Sequence, residues 1–249
     1  MPLNLLIGLD DTDNLTSRGT GFRARCLAAE LEQAGMVEVT GVTRHQLLVD
    51  DAIPYTSHNS SACISAVVND GAETAPVIEL CRDFLGRHAA QGSDVGLCVT
   101  AYAVAEKVRD FGYDAQRTVL RRLQAEQLAR SENIHLEGLT GDHQGMIGAL
   151  AAVGLHSTGD DGRYIWVRGI RERKGETLTL AELIKTTGVQ IVVTLDGTPI
   201  NDLETTLDLG PWPRPVRMNG RATLLVEKNN GGDTDWKVLD KETIKSFRP

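Results

Sequence analysis

The chain is poor in several things. Aromatic residues make up only 4% of its 249 positions, so a surface that stacks nucleic-acid bases would have few side chains to draw on. Positive charge is in deficit: 26 Lys and Arg against 34 Asp and Glu leave a formal net charge of −8. A dedicated nucleic-acid binder usually presents a basic face, because neutralising phosphate supplies most of its affinity. The four cysteines, Cys26, Cys63, Cys81 and Cys98, form no CxxC pair and sit among apolar residues. They read as reduced core thiols of a cytoplasmic protein, not as disulfides or zinc ligands. No basic stretch precedes the short apolar run near the N-terminus, which argues against a signal peptide. No apolar run is long enough to cross a membrane.

What is present begins with "LNLLIGLDDTDNLTSRGTGF", residues 3 to 22. An apolar run over Leu3–Leu9 predicts a strand covered on both faces. It delivers Asp10, Asp11 and Asp13 to its end, where ligands of α/β sheets bind. Carboxylates this close repel one another, and a hard cation such as Mg2+, shared with the phosphates of a nucleotide, relieves the repulsion. The Gly- and Ser-rich stretch that follows leads into a helix. Backbone N–H groups around Gly19 to Gly21 are suited to phosphate there, with Arg18, Arg23 and Arg25 nearby. A plain strand-to-helix turn is built from the same residue types. An aspartyl phosphatase, with Asp11-Thr12-Asp13 as its DxD, is a further alternative, although Leu15 departs from that motif.

Periodicity predicts helices over Arg23–Gln33, Ala75–His88, Arg117–Arg130 and residues 144–154, with strands over 36–49, 60–68 and 94–102. After Gly162 short strands dominate, interrupted by one helix around Leu180–Thr186. An α/β part followed by a β-rich part is the expectation.

Three stretches in order, "GLDDTDN…GTGF" (8–22), "IPYTSHNSSA" (53–62) and "GMIGALAAVG" (145–154), resemble archaeal tRNA(Ile) 2-agmatinylcytidine synthetase over about residues 5–170. That family hydrolyses ATP to activate a cytidine carbonyl, which agmatine then attacks. The resemblance implies an α/β (α+β) chain: an atypical kinase-like ATP-binding domain over 1–130, then a ferredoxin-like, β-rich domain over 131–249. It implies ATP and Mg2+, with Asp10, Asp11 and Asp13 at the metal, Asp11 and Thr20 catalytic, and Thr20 matching a threonine that becomes phosphorylated. Thr12, Gly19, Thr20, Gly21, His58, Asn59 and Gly145 are the expected nucleotide contacts.

The departures concern RNA. No Cys lies beyond Cys98, so the family's zinc ribbon has no counterpart. The family's Lys and Arg in the second stretch are replaced by Thr56 and His58. Together with the charge of −8, this predicts phosphoryl transfer to, or ATP-dependent activation of, a small unidentified substrate, with tRNA excluded unless a partner supplies the RNA grip. A tRNA-modifying enzyme with such a partner and a catalytically silent nucleotide-binding regulator remain the alternatives.

Overall fold

The computed structural model describes residues 3–53, 59–69 and 73–247. The chain divides into two compact units, Met1–Thr158 and Gly159–Pro249.

The first unit is built on β1 (Asn4–Asp10), α1 (Thr20–Gln33), β2 (Val37–Gln46), β3 (Ser60–Val68), α2 (Thr74–His88) and β4 (Gly96–Ala101). Three short helical pieces follow: α3 (Tyr102–Ala105), a 3-10 turn over Glu106–Val108, and α4 (Arg109–Ala115). After them come α5 (Arg122–Ser131), β5 (His135–Gly138) and α6 (Gly145–Thr158). The sheet runs β5-β4-β1-β3-β2, and every pairing within it is antiparallel.

β1 lies at the centre with its apolar run buried, as predicted. Alternation along the strand turns Leu6, Gly8 and Asp10 toward α6. Leu6 belongs to the cluster that holds Ala149, Leu150 and Val153, and a Cβ on Gly8 would lie 2.1 Å from the Ala149 carbonyl oxygen. Leu5, Ile7 and Leu9 are buried on the other face, where α1 packs against β2 and β3.

The helix α6 is nearly all small or apolar, without an apolar stripe, and all its residues but Ile147 and Thr158 are buried. Such a helix belongs inside a core. It touches every strand of its sheet and lies along α4. Glycines permit that approach. A Cβ on Gly96 would meet the Gly145 carbonyl carbon at 2.1 Å, and one on Gly154 would meet the Val108 carbonyl oxygen at 2.3 Å.

The unit boundary falls after Thr158, whereas the sequence reading places it after residue 130. The cause is long-range: β5 pairs with β4, and α6 seals the underside of the sheet. Both elements, assigned by the resemblance to the second domain, complete the first. His135 lies on β5, with its Nε2 3.2 Å from Glu137 Oε2. Residues 102–115, left without a helix in the sequence reading, form α3, the 3-10 turn and α4. The helix predicted from Arg117 begins at Arg122.

The second unit contains β6 (Arg163–Trp166), β7 (Thr177–Thr179), α7 (Leu180–Thr186), β8 (Ile191–Thr194), β9 (Thr206–Asp208), β10 (Val216–Met218), β11 (Arg221–Lys228), β12 (Trp236–Val238) and α8 (Lys241–Ser246). Its strands run β6-β10-β11-β12-β9-β7, with β8 parallel to β11. It is β-rich, as its texture predicts. α7 starts on a capping box, Thr179 with Glu182, which satisfies two otherwise orphaned backbone donors.

Cys63, Cys81 and Cys98 are buried and Cys26 is half-buried. Burial pushes the Cys81 thiol up to about 12, so it stays protonated and inert. Among the described residues no helix is long and apolar enough to cross a membrane.

Candidate functional site

The end of β1 opens into a cavity of about 290 Å³ in the first unit. Asp10, Asp11 and Asp13 line it together with Asp94, which stands just before β4. Asp10 is paired in register with Gly96 of β4, so the antiparallel pairing carries Asp94 to the β1 end. The rest of the wall is largely apolar: Leu47, Ile53, Ala115, Val119, Leu120 and Ile147.

Asp11 has a φ of 48°, a left-handed conformation uncommon for a residue other than glycine and concentrated at functional sites. It stands just past the end of the strand. Asp10 has its carboxyl pushed up to about 7, first by burial and then by the charges of Asp11 and Asp13. Asp11 rises to about 6, through burial and the charges of Asp94 and Asp13, partly offset by the Asp94 backbone N–H. Asp94 Oδ1 is buried and has no hydrogen-bond partner among the described residues. Gly148 of α6 faces Asp10 so closely that a Cβ there would lie 1.7 Å from Asp10 Oδ2.

Asp13 does a second job. Its Oδ1 accepts the Thr20 backbone N–H at 3.0 Å and the Thr20 hydroxyl at 2.9 Å. The Thr20 oxygen in turn accepts the Thr12 backbone N–H at 3.2 Å. This carboxylate therefore sits at the N-terminus of α1, where negative charge is favoured. One of the N–H groups expected to hold phosphate, that of Thr20, is thereby occupied within the protein.

Of the residues expected from sequence, Asp10, Asp11, Asp13, Thr20, Asn59 and Gly145 converge on this cavity. Asn59 donates through Nδ2 to the Leu48 carbonyl at 2.6 Å, which pins the start of β3. The Gly145 N–H goes to the Asp94 carbonyl at 3.0 Å, so Gly145 positions Asp94 and has no N–H to offer a ligand. Thr12 is fully buried behind the wall, with its hydroxyl 3.2 Å from that of Thr20. Gly19 and Gly21 are not among the lining residues. His58 lies outside the described residues. Asp94, Ser60, Gln144 and Gly148 also line the cavity and were missed. For Asp94 the one available signal was an acidic residue ahead of a strand, which is also ordinary turn chemistry.

The donor set suits a hard cation. It is all carboxylate oxygen, two of its members titrate high because they are buried and crowd one another, and one oxygen is orphaned. Among the described residues no three His, Cys, Asp or Glu side chains hold an ion by themselves. Mg2+ commonly takes one or two carboxylates and completes its shell with nucleotide phosphates and water, so Asp10 and Asp11, with Asp94 beside them, fit an ion shared with a ligand. Among the described residues the cavity wall carries no Lys or Arg.

No protein-family model matches the chain, and no curated protein matches it. Among solved structures, it is similar to a complex of TiaS with an isoleucine tRNA and ATP, with 24% identity and a TM-score of 0.55. A tRNA fluorescent labeling enzyme matches with 25% identity and a TM-score of 0.54. A complex of TiaS with the same tRNA, AMPCPP and agmatine matches with 23% and 0.54. Each match covers 61% of this chain and 36% of the other, so the chain spans little more than a third of those proteins. Two of these structures contain tRNA, and the expectation that tRNA is excluded finds no support in them. Over 61% of its length, then, the chain has the α/β fold of TiaS, the tRNA agmatidine synthetase, as its three sequence stretches suggest.

Proposed function

We propose that the first unit binds Mg2+-ATP in the carboxylate-lined cavity and uses it for phosphoryl transfer to, or activation of, an acceptor held alongside. The observation that carries this reading is the convergence of Asp10, Asp11, Asp13 and Asp94 on one cavity, with Asp94 Oδ1 left without a partner. Asp10 and Asp11 would hold the ion, which would neutralise phosphate charge when bound. The apolar wall would take the adenine. Phosphoryl transfer asks mainly for positioning and neutralisation; the wall would supply the first and the bound ion the second.

Four carboxylates facing a polyphosphate with no cation between them would repel it. Calorimetric titration should therefore give much weaker ATP binding in EDTA than in Mg2+. Equal affinity in the two buffers would remove the metal from the reading.

Thr20 is the proposed first acceptor. Its hydroxyl already donates to Asp13 at 2.9 Å, the distance expected between a nucleophile and its base. In the step, Thr20 Oγ1 bonds to the γ-phosphorus and the bond to ADP breaks. The electron pair leaves with the β-phosphate oxygen, and the Thr20 proton passes to Asp13. Incubation with Mg2+-ATP should add the mass of one phosphate to the intact chain, and Thr20→Ala should abolish the gain. A gain that persists in the variant places the phosphate elsewhere.

A second reading, in which the final acceptor is a tRNA base, has one observation of its own beside the fold. The negative charge is unevenly spread: residues 1–158 carry 12 Lys and Arg against 20 Asp and Glu, whereas residues 159–249 carry 14 of each. The net charge of −8 therefore does not speak against RNA binding by the second unit. ATP turnover measured with and without total tRNA separates the two acceptors. A chain that binds Mg2+-ATP but turns it over in neither assay is a regulator.

A further inference from the structure

Among the described residues, every charged residue lining the cavity is acidic. One cation stands a single side chain behind the wall. Arg44 lies on β2 between Thr43 and His45. Those two neighbours turn toward α6, where Thr43 Oγ1 is 2.8 Å from both His156 Nδ1 and His45 Nε2. Strand alternation then turns Arg44 to the opposite face, the one on which α1 packs against β2 and β3. There its Nε–H donates to Ser60 Oγ at 2.8 Å, and Ser60 lines the cavity.

Arg44 is half-buried, and burial draws its pKa down. Among the described residues no carboxylate pairs with it. A guanidinium withdrawn from water without a counter-charge is costly, and removing such a charge from its partner is what normally destabilises a protein. A second guanidinium on this face is in a similar state: Arg23, one helical turn after Thr20 on α1, has a buried Nε with no hydrogen-bond partner. Hydrogen-bond arithmetic adds a direction. Arg44 Nε–H occupies one lone pair of Ser60 Oγ, so the Ser60 proton is left to donate elsewhere, and both Arg44 Nη groups keep their donors.

We propose that Arg44, acting with the Ser60 hydroxyl, forms an oxyanion subsite at the edge of the cavity that takes a phosphate-class group. Ser60 is the contact residue, and Arg44 orients it and supplies the charge. That the phosphate belongs to a nucleotide rests on the Mg2+-ATP reading; that an oxyanion binds does not.

The test uses the full chain and pyrophosphate as the probe, with potassium chloride at matched ionic strength as the control. Thermal melting should show the wild type stabilised by millimolar pyrophosphate in EDTA. Arg44→Gln should lose that shift, Ser60→Ala should reduce it, and Arg44→Lys should retain part of it. The corresponding fall in pyrophosphate affinity for Arg44→Gln is about tenfold or more, the scale of a charge-assisted hydrogen bond. An equal shift in the wild type and Arg44→Gln, or none in the wild type, overturns the proposal. If Arg44→Gln does not fold, Ser60→Ala decides, and an unchanged shift in it is equally fatal. The nucleotide reading fails separately: Mg2+-ATP binding absent from the wild type, with the pyrophosphate shift intact, leaves the subsite standing without ATP.

Discussion

Replacing Asp10 by asparagine should raise the melting temperature of the metal-free protein at pH 8 and leave it nearly unchanged at pH 4. Folded Asp10 holds its proton to about pH 7, against the usual 3.8. Between those values the folded state binds a proton that the unfolded state has released, so stability falls as pH rises through the window. Below it both states are protonated and nothing is lost. Above it the whole cost of ionising a buried carboxylate remains. Asp10 keeps some access to solvent at the cavity, which trims the cost to about 3 kcal/mol, or roughly 6–12 °C for a protein of this size. Asn has the same shape and no charge, so it removes the cost. Melts of both proteins in EDTA at the two pH values check this. A variant that melts below the wild type at both would mean that the carboxylate stabilises the fold. Added Mg2+ should help the wild type and not the variant, a case of a functional group kept at the expense of stability.

The second large effect concerns the helix behind that carboxylate. Gly148→Ala places a methyl 1.7 Å from Asp10 Oδ2 and 2.4 Å from its Cγ. The helix cannot retreat cheaply, because it touches every strand of the sheet, so the carboxylate must swing or the core must open. The expected loss is about 3 kcal/mol, at the upper end for an overpacked core, together with loss of any Mg2+-dependent stabilisation. Asp10→Ala removes the two atoms that clash most. The two substitutions made together should therefore cost at least about 1 kcal/mol less than the sum of the singles. Simple additivity in chemical denaturation would show that Gly148 matters for helix packing alone.

How much of this was legible in the sequence depends on distance along the chain. The strand at Leu3–Leu9 and the acidic cluster at its end are local, and each was readable from an apolar run breaking into carboxylates. Asp94 was not. It lies far along the chain from Asp11, and only the antiparallel pairing of β1 with β4 brings them together. The same holds for Arg44, which looks like any strand residue until Ser60 and the cavity are placed beside it. Asp13 was readable as an acid but not as the cap of α1, because its bond to Thr20 spans a loop whose course the residues do not announce. The helices over 102–115 escaped because they are short pieces with no repeated apolar stripe. "GMIGALAAVG" gave the opposite signal: small and apolar on every side, it had to be enclosed. The missing piece was which sheet would enclose it, and the compact unit therefore ends at Thr158 and not at residue 130.

α6 closes the first unit from its last residues, and this sets an order of events during synthesis. As the chain leaves the ribosome, β1 to β4 are made with one face bare, and Asp10 waits without the glycine that will cover it. Until Thr158 has emerged, the side of the sheet that carries Leu6, Cys63 and Cys98 is exposed. A fragment cut at residue 130 would freeze that moment, with its uncovered apolar face available to other copies of itself. Any nucleotide site at the end of β1 is therefore one of the last features of the unit to form.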